Sequence, residues 1–159
     1  MRSFTMTLAA FALAFNAVAA HADPVVLADV MKSMGVSWKV IAKNVADPNQ
    51  NPTVLTESEK LRGFVVQAAG LPLSDKILGQ MFPKPEDRRT APLKFQKTIA
   101  ILLEDVNDLS LALMAKDTAT AVATVKKIAD LKAFGHTMFT PPDSPVLLQD
   151  REDEVQDKQ

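Results

Sequence analysis

The sequence predicts an all-α protein, folded as an antiparallel up-down-up-down four-helix bundle. Two long apolar stripes repeat at helical spacing, no segment alternates apolar and polar residues as a half-buried strand would, and polar breaks separate the periodic stretches. The chain contains no cysteine. No disulfide can staple it, so an apolar core must hold it together.

The first helix is expected from Asp23-Pro24, with Asp as N-cap and Pro in the first turn. Leu27, Met31, Met34, Trp38, Ile41 and Val45 then recur at spacings of 4, 3, 4, 3 and 4, one stripe on a helix of about six turns. DPNQNP, residues 47–52, breaks it. A second, less regular helix runs through EKLRGFVVQAA, capped by Thr56 or Ser58, and is interrupted at Gly70 and Pro72. SDKILGQMF offers a further turn or two, and PKPEDRRTAP (83–92) reads as a proline-bounded loop.

After Pro92 the pattern sharpens. Phe95, Ile99, Leu102, Val106, Leu109 and Leu113 repeat the 4, 3, 4, 3, 4 spacing. Lys116-Asp117 is a short link, which favours an antiparallel neighbour, and Asp117 suits an N-cap. The last helix carries Val122, Val125, Ile128, Ala129 and Lys132 on one face, and Pro141-Pro142 must end it.

Both termini read as lying outside the bundle. Residues 1–22 have the form of a cleaved secretory signal, with Arg2, the apolar stretch TLAAFALAFNAVAA and the A-x-A site Ala20-His21-Ala22. Export to the periplasm, a mature chain from Asp23 and no membrane span in it are the expectations. The bundle is expected over residues 23–140. Residues 141–159 read as a loosely ordered, charged tail. Loss of Arg2 moves the net charge from −1 to −2, which gives no reason to expect nucleic-acid binding.

Much chemistry is excluded by what is missing. There is no cysteine nucleophile, no phosphate loop and no G-x-S-x-G elbow. Glu104, Asp105 and Asp108 suggest a carboxylate metal site, but a di-iron bundle needs Glu-x-x-His pairs from two helices. After the leader is removed, His136 is the one histidine left. Those acids therefore read as a solvated face. Met114 and Met138 read as fillers.

His136 lies in LKAFGHTMF, directly after Gly135. A histidine there can cap the last carbonyls of a helix that stops at Gly135. It can also project from a helix that continues. Val125, Ala129, Lys132 and His136 extend one face, and Phe139 follows three residues on, so the periodicity does not end at the glycine. In an antiparallel bundle Met31 lies about 10 Å up the first helix, and His136 about 6 Å from the end of the fourth. They would share a layer, and thioether and imidazole are a known axial pair for haem iron. Methionines on an apolar stripe are also ordinary packing residues.

At these residues the sequence resembles a known family. MKSMGVSWKVIAK (31–43) resembles the opening helix of the cytochrome b562 family, small periplasmic four-helix b-type cytochromes that begin with an axial Met and carry a K-V-I-x-K stretch. The family's P-K-x-E-D loop is matched by Pro83 to Asp87, and Phe95 stands where a Phe packs on haem. The spacing from Phe95 to His136 matches without a gap. Two helices are covered well, the loop before the third tolerably, and helix two poorly. Cytochrome c′ offers a contrast: its C-x-x-C-H would fall on Lys132 to His136, where no cysteine is present, so covalent haem attachment is excluded. Gly135 replaces an aromatic residue of the family, and Thr140 replaces an Arg.

The resemblance implies one non-covalent haem b with Met31 and His136 as metal ligands. Leu27, Met34, Phe95 and Ile99 would wall it in, and Lys132 would face a propionate or the surface. Met34 is the rival ligand, and Trp38 reads as core. The implied task is one-electron transfer with a periplasmic redox partner, by a monomer that is not an enzyme. Two alternatives stand beside it. One is a haem-free bundle binding copper through Met31, Met34 and His136, or serving as an interaction module. The other is a pentacoordinate haem open to small gases.

Overall fold

The structure, a computed structural model, describes residues 26–141. The leader, the cleavage site, the Asp23-Pro24 cap and the tail beyond Pro141 lie outside those residues. The described chain is all-helical: α1 (Leu27–Asn44), α2 (Asn51–Ala69), α3 (Asp75–Met81), α4 (Pro85–Met114) and α5 (Thr118–Phe139), with a 3-10 turn at Pro48–Gln50. α1 packs on α2, α2 on α4 and α4 on α5, while the short α3 touches α4 and α5. α1 and α5, by contrast, approach each other much less closely than those pairs do.

Four starts and stops differ from expectation, each for a local reason. α1 begins at Leu27, with extended Val26 in the capping position, three residues later than Pro24 would start it. α2 begins at Asn51 with Pro52 in its first turn. Thr56 and Ser58 are inside it, bonded back to the carbonyls of Pro52 and Leu55, rather than capping it. α3 is a helix of its own, capped by Ser74, whose hydroxyl accepts the Ile77 N–H at 3.3 Å.

The largest difference is at α4. Residues 85–92 are helix, not loop. Pro85 occupies the first turn, where no N–H is needed, and Glu86 and Asp87 sit favourably at the positive end of the helix dipole. Arg88 donates to the carbonyls of Phe82 at 2.8 Å and Pro83 at 3.1 Å, locking the entry. Pro92 lies inside the helix and removes one backbone bond rather than ending it.

The link to α5 is compact. The Asp117 N–H reaches the Ala112 carbonyl and the Lys116 N–H the Leu113 carbonyl, the two bonds of a Schellman ending. Lys116 takes the left-handed position at φ 58, which a residue with a Cβ adopts at a cost. Asp117 then caps α5, accepting from the Thr120 N–H at 3.0 Å and its hydroxyl at 2.6 Å.

The core is built from Val30, Met34, Ile41 and Val45 of α1, Val54, Leu61 and Val65 of α2, Phe95, Ile99, Val106, Leu109 and Leu113 of α4, and Ala121, Val125 and Ile128 of α5. A buried Ser58–Ser110 hydroxyl pair, 3.0 Å apart, bridges α2 and α4. The Gln96 amide donates to the Ala69 carbonyl at 2.7 Å and ties the end of α2 to α4. Val122 is exposed rather than on the inner face, and Met114 is exposed rather than a filler; Met138 packs against the core.

Candidate functional site

Residues of α1, α4 and α5 surround a cavity of about 650 Å³. That lies inside the range of roughly 300–1,000 Å³ typical of small-molecule and cofactor sites. Three helices each turn one face to it. α1 supplies Leu27, Met31, Met34 and Trp38, α4 supplies Phe95, Ile99 and Leu102, and α5 supplies Ile128, Leu131, Lys132, His136 and Phe139. Apart from the adjacent Leu131 and Lys132, successive residues within each helix are three or four apart, so ordinary helical spacing brings them to one side.

All seven residues singled out in the sequence line this one cavity: Leu27, Met31, Met34, Phe95, Ile99, Lys132 and His136. Their burial divides them. Met34, Phe95 and Ile99 are buried at 7%, 4% and 5% exposure and form the inner wall. Leu27, Met31, Lys132 and His136 are half-buried nearer the opening. Of the two methionines, Met34 is thus a core residue, and Met31 is the more exposed.

The helix does not stop at Gly135. α5 runs to Phe139, Thr140 is its C-cap, and the Thr140 N–H bonds the His136 carbonyl at 3.1 Å. His136 therefore sits in the last turn, where its ring is favourably placed against the helix dipole, and also on the cavity wall. Gly135 lines the cavity beside it, as Gly35 does from α1. A Cβ at either glycine would meet nothing within 4 Å.

One end of the cavity is closed by aromatics. Phe139 meets Phe95 edge-on at 5.4 Å between centroids and Phe82 at 5.9 Å, both favourable separations. Trp38, expected in the core, is half-buried on the cavity wall. Residues 71–77 are the wall that the sequence did not reveal: Leu71, Pro72 and Leu73 line it from the connection between α2 and α3, and Ile77 from the first turn of α3. The available signal was Leu-Pro-Leu, two large apolar residues around a proline in an otherwise polar break.

The Glu104–Asp105–Asp108 group takes no part in the cavity lining. Burial pushes the Asp105 carboxyl above its ordinary range; Lys127 opposes that, and the charges of Asp108 and Glu104 add to it. Among the described residues no cluster of three or more His, Cys, Asp or Glu side chains could hold a metal ion. No described helix is long and apolar enough to cross a membrane. No protein-family description, curated protein or solved structure matches the chain.

Proposed function

We propose that the chain is a periplasmic b-type cytochrome of the cytochrome b562 kind, an antiparallel four-helix bundle that takes up one haem b and transfers single electrons. The observation that supports this reading is that Met31, from the first half of α1, and His136, from the last turn of α5, both line one largely apolar cavity. The two residues are 105 positions apart in sequence.

The residues present fit the group. The cavity is large enough, its wall is apolar on three helices, and a thioether and an imidazole are half-buried on it. Met31 and His136 would hold the iron, which would supply one-electron chemistry, while Phe95, Ile99 and Met34, buried on the inner wall, exclude water from it. Lys132, one turn before His136, would meet a propionate. No cysteine is available, so retention rests on coordination and burial alone.

The test is a haemin titration of the mature chain. A six-coordinate low-spin spectrum in the reduced state is expected, lost in Met31→Ala and in His136→Ala. A flat titration removes the reading. The placement of Met34 on the same wall keeps one alternative specific: Cu(I) bound by Met31, Met34 and His136, since thioethers suit that ion. Cu(I) uptake without haem uptake would select it.

A further inference from the structure

The charge around the cavity is one-sided. Among the described residues, Lys32, Lys39, Lys76 and Lys132 line it and no aspartate or glutamate does, although the whole chain carries 19 acidic residues against 18 basic ones. Asp29, Asp75 and Asp130 stand within three residues of Lys32, Lys76 and Lys132, yet none contributes to the wall. Lys32, Lys39 and Lys76 are exposed and Lys132 is half-buried. Lysine stems cover apolar surface while their ammonium groups stay at the water boundary, so the cations form a rim around an aliphatic and aromatic interior.

The cavity is also long. Its lining on α1 extends from Val26 to Lys39, about 20 Å of helix, and on α5 from Ile128 to Phe139, about 16 Å. Met31 and His136 stand toward one end of these stretches. Trp38, Lys39 and Ile128 line the other end, well beyond the reach of an axial pair. An apolar groove whose charged described residues are all lysines is complementary to an extended apolar body that ends in a carboxylate. Nothing in that recognition needs iron.

We propose that the groove binds carboxylate-headed apolar ligands through its lysine rim, without a metal. A tetrapyrrole diacid and a long-chain fatty acid share this chemistry, and both can be tested directly. Trp38 is the one tryptophan of the chain and lines the groove, so its fluorescence reports occupancy. The chain is titrated at low salt with metal-free protoporphyrin IX, with its dimethyl ester and with palmitate.

At least one of the two acids should change Trp38 emission saturably, and the porphyrin acid should bind several-fold more tightly than its ester. Added salt should shrink that difference, because exposed charges are screened beyond roughly 10 Å at 0.1 M. An exposed ion pair is worth up to about 1 kcal/mol, roughly fivefold. The triple variant Lys32→Gln, Lys39→Gln, Lys76→Gln, with an unchanged circular dichroism spectrum, should therefore weaken the acids about five- to tenfold and close the gap to the ester. Binding of palmitate alone, or of the porphyrin alone, names the source and upholds the site. Failure of both acids to bind, or an ester that binds as tightly as its acid, overturns it. Iron ligation is read separately from haemin spectra, so either result can stand without the other.

Discussion

The two halves of α5 are built on different terms. In the first, Ala121, Thr124, Val125 and Ile128 are buried at helical spacing. In the second, Leu131, Lys132, Gly135 and His136 are only half-buried and all four line the cavity, which Ile128 reaches from the packed half while Ala121, Thr124 and Val125 do not. Burial returns at Phe139, against Phe82 and Phe95. A closely packed face admits small or branched apolar side chains. A face over a cavity can carry an amine, an imidazole and a glycine while the helix continues unbroken. Periodicity reports that a face is turned inward; the burial along it reports what the face meets.

The largest effect that tests this contrast comes from truncating one residue in each half. Ile128→Ala removes a side chain that is 2% exposed and should cost about 2–5 kcal/mol. Leu131→Ala, three residues on, should cost about 1 kcal/mol or less. Urea denaturation measures both, and equal losses would erase the distinction. Gly135→Ala should go the other way, adding up to about 1 kcal/mol from helix propensity, because the new methyl group enters open space. A loss of stability there would mean that the second half is packed after all.

Acid gives the smallest effect and confines it to the first half. The side-chain and backbone hydrogen bonds of Thr120 hold the Asp117 carboxyl below its ordinary range, and the Ala119 backbone assists. A carboxyl lowered in the folded state contributes stability that is complete above its unfolded pKa and is lost as pH falls through its folded one. On acidification the amides at the start of α5 should lose protection before global unfolding. Asp117→Asn, which keeps a capping acceptor, should abolish that pH dependence. Identical acid profiles for the two proteins would refute the assignment.

How far the sequence could be read follows the same physics. α5 was legible to within a residue at each end, because Asp117 and Pro141 are strong local signals and the stripe between them is regular. That Leu27, Met31, Met34, Phe95, Ile99, Lys132 and His136 face one interior was legible, since each lies on a helical stripe that turns inward. The start of α4 was not. Pro92 looks like a boundary, yet Pro85-Glu86-Asp87 is itself a helix start, and Arg88 closes it onto Phe82 and Pro83. One lost backbone bond at Pro92 is a smaller penalty than seven residues of unpaired backbone. The wall at residues 71–77 and the lysine rim were hidden for another reason. They depend on which surface a short connection covers, and no local spacing encodes that.

The Lys116-Asp117 link also has a kinetic meaning. It closes α4 onto α5 through three residues, Ala115 to Asp117, and one left-handed backbone position, so its loop-closure entropy is small. The cavity, in contrast, is complete only when Met31 and His136 come together from opposite ends of the chain. Contacts of such separation form late in folding. Changes in the cavity walls then act mainly on the rate at which the protein unfolds, and changes at the α4–α5 turn on the rate at which it folds.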